Sequence, residues 1–325
     1  MVTIKDVAVK AGVSVTTVSR VMNNRGPLSE STKKAVYDAM EELDYLPNDL
    51  ARALGKNSLN LIGLIVPSIR HPYFAQLVHQ FEYECSLREY KLIVFACDYD
   101  YEKEKRCIEL MRRTMVDGII YTSHSEGKDF LENLQVPAVT LENRFAGLPA
   151  ILSDNRQGGY LAARHLIARE CKNLICIGGQ LDLRLPSDER INSFRRECEK
   201  QGVPCKVYSA TDAMLSEMEY GNLISQVFTE NPDMDGIFAS SDVIAAQCIQ
   251  AATAFGYKIP EQLKIVGFDD IFMSRLMNPP LTTVRQNTND MVKAAVEVLM
   301  MLMEGKKDVP ETQTIPITFV ERRTT

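Results

Sequence analysis

The sequence predicts a small all-α helix-turn-helix head followed by an α/β core built on two mostly parallel sheets. Three observations lead there. The N-terminal residues break into short amphipathic helices around a tight glycine turn. From Leu61 onward, continuous apolar runs alternate with helical stretches. Those runs are too numerous for a single sheet. At 325 residues, with 45% hydrophobic and 25% charged, the chain has the length and balance of a folded protein of more than one domain.

Thr3 caps a helix whose Asp6 stands at the capping-box position, and Ile4, Val7, Ala8 and Ala11 share one face. Gly12 supplies the positive φ that ends it. Ser14 caps a second helix, in which Val18, Val21 and Met22 face inward while Val15, Thr16, Ser19, Arg20 and Asn23 face out. A third helix is expected from about Ser29 to Leu43, with Ala35, Val36, Ala39, Met40 and Leu43 on its core side. A generic helical hairpin would show the same apolar pattern. The outward Thr, Ser, Arg and Asn are the groups that hydrogen-bond phosphates and base edges. Pro47 then blocks helix extension, and Asn48 can cap a further helix of two turns ending at Gly55, marginal without a partner.

In the core, strands are expected at 61–66, 92–96, 118–121, 137–141, 174–178, 236–239 and 264–268, because unbroken apolar runs belong to sheets buried on both faces. Helices are expected at 73–88, 155–170, 188–201, 242–255 and 289–304. Ligands of such folds bind beyond the carboxyl ends of strands. Polar and aromatic residues gather there: His71-Pro72-Tyr73-Phe74, Cys97-Asp98, Glu142-Asn143-Arg144, Ser240-Ser241-Asp242 and Phe268-Asp269-Asp270. Carboxylates accept from vicinal hydroxyls, arginine donates to ring oxygens, and aromatic rings stack on sugars, so the set suits a neutral polyhydroxylated ligand. The alternatives are plain ones: Phe74 as a packing anchor and Asp242 as a helix N-cap.

Several classes are disfavoured. The eight cysteines form no C-x-x-C pair and there are only four histidines, so no metal, disulfide or cofactor is expected. No stretch nears the roughly 18 apolar residues of a membrane span, and Lys5, Asp6 and Lys10 interrupt any export signal, so the cytoplasm and no membrane partner are expected. A transported-sugar binding protein would need such a signal and has no use for the head. No G-x-G-x-x-G, P-loop or G-x-S-x-G accompanies the strands, so an enzyme is not expected and no catalytic residue is assigned. The net charge is −6, with +1 on residues 1–58 and −7 on the rest, so charge alone does not mark a DNA binder.

Thr3-Ile4-Lys5-Asp6-Val7-Ala8, Ala11-Gly12-Val13-Ser14, Thr17-Val18-Ser19-Arg20-Val21 and Leu50-Ala51-Arg52-Ala53-Leu54 together resemble the LacI/GalR family of bacterial repressors. The resemblance implies a head at 1–46, a hinge helix and linker at 47–59, and a periplasmic-binding-protein-like core of two lobes at 60–325, roughly 60–155 with 288–312 and 156–284 with 315–325. It implies base reading by Val15, Thr16 and Arg20, and phosphate contacts by Thr3, Ser14, Ser19 and Asn23. A minor-groove wedge at Leu54 would sit beside a small Ala53. Gly55 departs from a well-held hinge. Effector contacts would be Tyr73, Phe74, Asn143, Arg190, Asp242 and Asp269. Lobe crossings are expected at Asp154-Asn155 with Gly158-Gly159, and at Thr283-Val284-Arg285-Gln286. Residues 23–30 and 153–159 look like the sucrose and ribose repressor branches, favouring a sugar effector over a purine. The implied partners are palindromic operator DNA and a second copy of the chain, meeting along 73–87 and near 98–122. The C-terminal residues carry no leucine heptad, so a tetramerising coiled coil is not expected.

Overall fold

Apolar runs with no polar face must be covered on both sides, and in the computed structural model they become the central strands of two sheets. The structure describes residues 2–22, 25–45, 59–113, 116–122, 131, 134–179 and 185–325. Asn23, the hinge with Ala53, Leu54 and Gly55, and residues 180–184 lie outside the described residues. The described chain up to Leu59 forms one compact unit and Asn60–Thr325 another.

In the head, α1 (Ile4–Ala11), α2 (Val15–Met22) and α3 (Glu30–Glu42) enclose Val7, Ala8, Val18, Val21, Val36 and Ala39. The Asp6 carboxylate accepts from the Thr3 backbone N–H (2.8 Å) and its hydroxyl (2.7 Å). Gly12 ends α1 at φ 66°. Ser14 Oγ accepts from the Thr17 N–H at 3.1 Å, and Ser29 Oγ from Thr32 at 3.2 Å. These local caps fix the turn between α1 and α2 before any long-range contact is needed.

The first sheet of the core runs β2 (Lys91–Ala96), β1 (Leu61–Val66), β3 (Gly118–Tyr121), β4 (Ala138–Leu141), β5 (Ala150–Ser153), β11 (Thr312–Ile315), all parallel. The helix α4 (Pro72–Ser86) and the late helix α11 (Thr288–Met303) cover one face; α5 (Tyr101–Arg113) covers the other with Ile108 and Met111. The second sheet repeats that order: β7 (Cys205–Ser209), β6 (Leu174–Gly178), β8 (Gly236–Ala239), β9 (Lys264–Asp269), β10 (Thr282–Gln286), β12 (Ile317–Val320), with β12 antiparallel to β10. It is covered by α6 (Asn155–Ala168) and α7 (Asp188–Lys200) on one side, and by α9 (Gly221–Glu230) and α10 (Asp242–Ala254) on the other. The short α8 (Asp212–Glu217) follows β7. Strand order reverses at β1 and at β6, which are the crevices where such sheets take ligands.

The chain passes between the sheets three times, at Asp154, Asn287 and Pro316. Two sequence expectations are corrected here. Gly158 and Gly159 lie inside α6 rather than in a crossing. A Cβ at Gly159 would stand 1.8 Å from the Arg190 carbonyl oxygen, and one at Gly158 2.6 Å from the Phe268 ring, so the glycines let α6 lie directly on α7 and β9. Residues 283–286 form strand β10, and the crossing follows them. Among the described residues, no helix is long and apolar enough to cross a membrane.

Because the contact at Gly159 is with backbone, Gly159→Ala should cost ~1–3 kcal/mol by forcing α6 away from α7. Gly221→Ala, where an added Cβ meets nothing within 4 Å, should be neutral or gain about 0.4–1 kcal/mol. Urea unfolding of the two variants beside the parent checks the contrast.

Candidate functional site

A cavity of about 300 Å³ opens beyond the carboxyl ends of β1 and β6, lined from both sheets. Its centre is Arg190, on the first turn of α7. The guanidinium is nearly buried, so each donor requires an acceptor. Nε and Nη2 donate to Asn155 Oδ1 (2.8 and 2.5 Å), Nη1 donates to the Ser240 carbonyl (2.9 Å), and the Phe268 ring centroid lies 3.8 Å from the guanidinium carbon.

Two carboxylates face it. Glu142, at the end of β4 with φ 59°, stands 3.9 Å away. It accepts from the Ser153 N–H (2.5 Å) and Asn155 Nδ2 (3.2 Å). Asp269, at the end of β9 with φ 108°, stands 3.8 Å from Arg190 and accepts from Gln286 Nε2 at 2.7 Å. Burial pushes both carboxyls above the ordinary range, and Arg190 pulls each of them back. His71 caps α4, accepting from the Tyr73 N–H at 3.3 Å; burial, then the charge of Arg190, pushes it down to about 4. It is therefore a neutral wall at neutral pH. The Tyr73 hydroxyl points at Gln286 Oε1 (3.4 Å), and its ring meets Phe74 edge-on at 5.2 Å.

Of the effector residues expected from the sequence, Tyr73, Phe74, Arg190 and Asp269 line this cavity together. Asp242 and Asn143 are not among its lining residues. Asp242 is fully buried, and its carboxylate accepts from the Ile271 N–H (2.9 Å), Ser274 Oγ (2.5 Å) and Thr283 Oγ1 (2.5 Å). It clamps β9, β10 and the 3-10 turn Phe272–Arg275 behind the pocket. Nor is it the helix cap: Ser241 Oγ accepts from the Ile244 N–H, and Ser240 and Ser241 face the cavity instead. Asn143 is buried, with Oδ1 accepting from the Arg144 N–H at 2.7 Å. Sequence reasoning missed Tyr99, Tyr220, Asp212 and Gln286 in the lining, and Asn155 behind it. Tyr99 carries one signal, its place just past a strand, and Asn155 and Gln286 carry another, their place at the expected lobe crossings.

In the head, the outward side of α2 carries Val15 (39% exposed), Thr16 and Arg20, all exposed, and half-buried Ser19. Thr3 and Ser14 are exposed at the helix starts, each engaged in its cap.

Comparison with known proteins gives these two sites a common context. Residues 3–48 match the family of bacterial regulatory proteins, lacI family, and residues 163–325 match the periplasmic binding protein-like domain. The ribose operon repressor of Halalkalibacterium halodurans is 35% identical over 326 residues, spanning 100% of this chain and 97% of that protein. The sucrose operon repressor of Streptococcus mutans is 35% identical over 313 residues, 96% of each chain. The crystal structure of the lac repressor dimer bound to operator and the anti-inducer ONPF superposes with a TM-score of 0.86 at 26% identity, covering 100% of this chain and 99% of that one. The chain belongs to the LacI family of bacterial regulatory proteins.

Proposed function

We propose that this protein is a sequence-specific DNA-binding transcriptional regulator, a repressor of carbohydrate-utilisation genes, controlled by a small sugar held between the two lobes of its core. The observation that carries the reading is a helix-turn-helix whose second helix turns Val15, Thr16 and Arg20 outward, in a chain of this family. Arg20 pairs with a guanine, the methyls of Val15 and Thr16 meet thymine, and Thr3, Ser14 and Ser19 set register on phosphates. Asn23 joins them, and a hinge at 47–59 with Ala53 and Leu54 opens the minor groove.

The effector half of the reading rests on the cavity. Its volume is at the small end of the ~300–1,000 Å³ typical of ligand sites, which suits a monosaccharide. Arg190 donates, Asp269 and Glu142 accept, and the rings of Tyr73 and Phe74 offer apolar walls to the faces of a sugar. The relatives named above as ribose and sucrose operon repressors favour a sugar as the ligand.

A single head reads too few base pairs for genomic specificity, so a homodimer reads a palindrome. We assign the dimer contact to the β2 edge of the first sheet, with the helices on its two faces, α4 and α5, contributing exposed Tyr83 and Leu110. Sugar closes the cleft, rotates one lobe against the other and changes the spacing of the two hinges. A hinge helix that folds only on DNA turns that shift into a change of operator affinity, and operator and sugar change each other's affinity by one factor.

Arg20→Ala should cut the preference for operator over scrambled DNA by ~1–3 kcal/mol, about 5- to 150-fold, while sugar binding stays at the parental level. Competition gel shifts with parallel calorimetry read both quantities. Unchanged preference removes Arg20 from base reading. Asp269→Asn should weaken sugar binding by roughly 10- to 100-fold, the worth of a charged hydrogen bond, and leave operator binding without sugar intact. A thermal-shift screen of pentoses, hexoses and disaccharides identifies the ligand for that titration; parental affinity in the variant removes Asp269 from the site.

A further inference from the structure

The pocket and the head leave the cysteines unused, and one pair meets where the end of a strand lies against a helix. Cys97 directly follows β2 and donates its N–H to the Val66 carbonyl (3.0 Å); Asp98 donates to the Pro67 carbonyl (2.7 Å). The Asp100 N–H on the Cys97 carbonyl (2.9 Å) then turns the chain, with Asp98 at φ 52° and Tyr99 at φ 61°. Asp100 caps α5, accepting from the Lys103 N–H at 3.0 Å. The helix is fixed on the sheet by buried Ile108 and Met111, and by the Tyr121 hydroxyl, which donates to Glu104 Oε2 (2.7 Å). Cys107, three residues after Glu104, therefore shares its side of the helix. Its sulfur accepts from the Cys97 thiol at 3.8 Å.

The two sulfurs are not equivalent. Cys97 is fully buried, and burial pushes its thiol up, so it waits protonated. Cys107 is half-buried at the border of the apolar stripe of α5, where a small reagent can reach it. The Lys103 ammonium stands one helical turn before Cys107, held by Asp98 Oδ2 at 2.6 Å, and lies near enough to interact with both sulfurs. Sulfur attacks as an anion, and an anion formed in this corner has a cation beside it. A reachable sulfur in contact with a buried, protonated one is the arrangement of an attacking and a resolving cysteine. Cys205, the other half-buried cysteine, has its thiol on the Lys206 carbonyl at 3.9 Å.

We propose that Cys97 and Cys107 form an oxidisable dithiol site, with Cys107 as the attacking sulfur, Cys97 as the resolving sulfur and a hydroperoxide as the oxidant. Cys107 releases its proton to solvent, and its sulfur attacks one oxygen of hydrogen peroxide. The O–O bond breaks, and the departing hydroxide takes a proton back to become water. Cys107 is now a sulfenic acid. The Cys97 thiol gives up its proton as its sulfur attacks Cys107, the S–O bond breaks, and that hydroxide leaves with the proton as a second water. Two thiols are oxidised to one disulfide, and one peroxide is reduced to two waters. At 3.8 Å the sulfurs stand about 1.8 Å short of the bonded distance. The bond closes a ring on residues 98–106, and Tyr99 of the pocket wall lies within it, so oxidation ties that turn to α5. The inference goes beyond the regulatory reading and stands without it.

The test uses the reduced full-length protein, because α5 also carries Leu110 of the assigned dimer contact. Iodoacetamide on the native protein should label Cys107 roughly tenfold faster than Cys97. After equimolar hydrogen peroxide and thiol blocking, trypsin cuts at Lys103, Lys105 and Arg106, between the two cysteines. Mass mapping should then find their two peptides joined by a disulfide that dithiothreitol reverses. Cys107→Ser should abolish the link, and Cys97→Ala should leave a Cys107 sulfenic acid that dimedone traps. A native Cys107 that resists iodoacetamide overturns the proposal, and so does a peptide map in which peroxide leaves Cys97 and Cys107 unlinked; neither measurement needs a variant to fold. A Cys107–Cys107 bond between two copies, read as a dimer on a non-reducing gel, overturns it as well.

Discussion

The buried guanidinium of Arg190 is the constraint around which the core is arranged. A charge taken out of water survives only where its donors are met and an opposite charge is near. Here the acceptors come from separate stretches of chain: Asn155 at the start of α6, the Ser240 carbonyl after β8, Glu142 after β4 and Asp269 at the end of β9. None of these is close to Arg190 in sequence. The diglycine of α6 belongs to the same arrangement, since only a residue without Cβ lets α6 approach the Arg190 backbone. The folded core therefore holds this cation, at the cavity wall, with its donors already oriented.

That cation is also wired to the lobe crossings. Asn155, which holds two of its nitrogens, is the first helical residue after the first crossing, and Glu142 reaches the Ser153 N–H just before it. Gln286, bonded to Asp269, is the last residue of β10 before the second crossing. Gln76 on α4 donates to Thr288 Oγ1 just after it (2.9 Å), and Asn287 Nδ2 donates to the Pro316 carbonyl of the third (2.6 Å). Arg190 and Asp269 are therefore each tied by a direct hydrogen bond to a residue beside a lobe crossing. This contiguity is the physical content that a closure mechanism needs, because a ligand shifts an equilibrium only through contacts that differ between its states.

The central strands and the helices between them were legible because burial on both faces leaves an unbroken apolar signature. Strands β1, β3, β6 and β8 run within the predicted bounds. The strands that escaped are mostly at edges or beside them. β7, β11 and β12 expose alternate or successive polar residues, as in Thr312–Ile315, and carry no such run. β10 reads as Thr-Thr-Val-Arg-Gln, and its buried threonines find partners far away in sequence, Thr324 near the C-terminus and Asp242. In α5, two buried apolar residues, Ile108 and Met111, among eight charged neighbours left too thin a stripe to mark a helix. The head was the more legible unit because its caps, turn and apolar face all lie within a few residues of one another.

The aspartates that follow strands show where reading by residue type stops. Asp242, Asp269 and Asp270 all stand where a ligand-binding carboxylate is expected. Asp242 takes three donors from the protein itself, and Asp270 is held by Arg285 (2.7 Å) and Arg322 (2.5 Å). A carboxylate already satisfied gains little from a sugar hydroxyl, because the new bond only replaces an old one. Asp269 differs in its surroundings: it faces Arg190 across the cavity and turns away from the strand at φ 108°. What separates a clamp from a contact is therefore the set of partners the fold brings to each oxygen. Those partners arrive from 15 to 79 residues away, outside any local pattern.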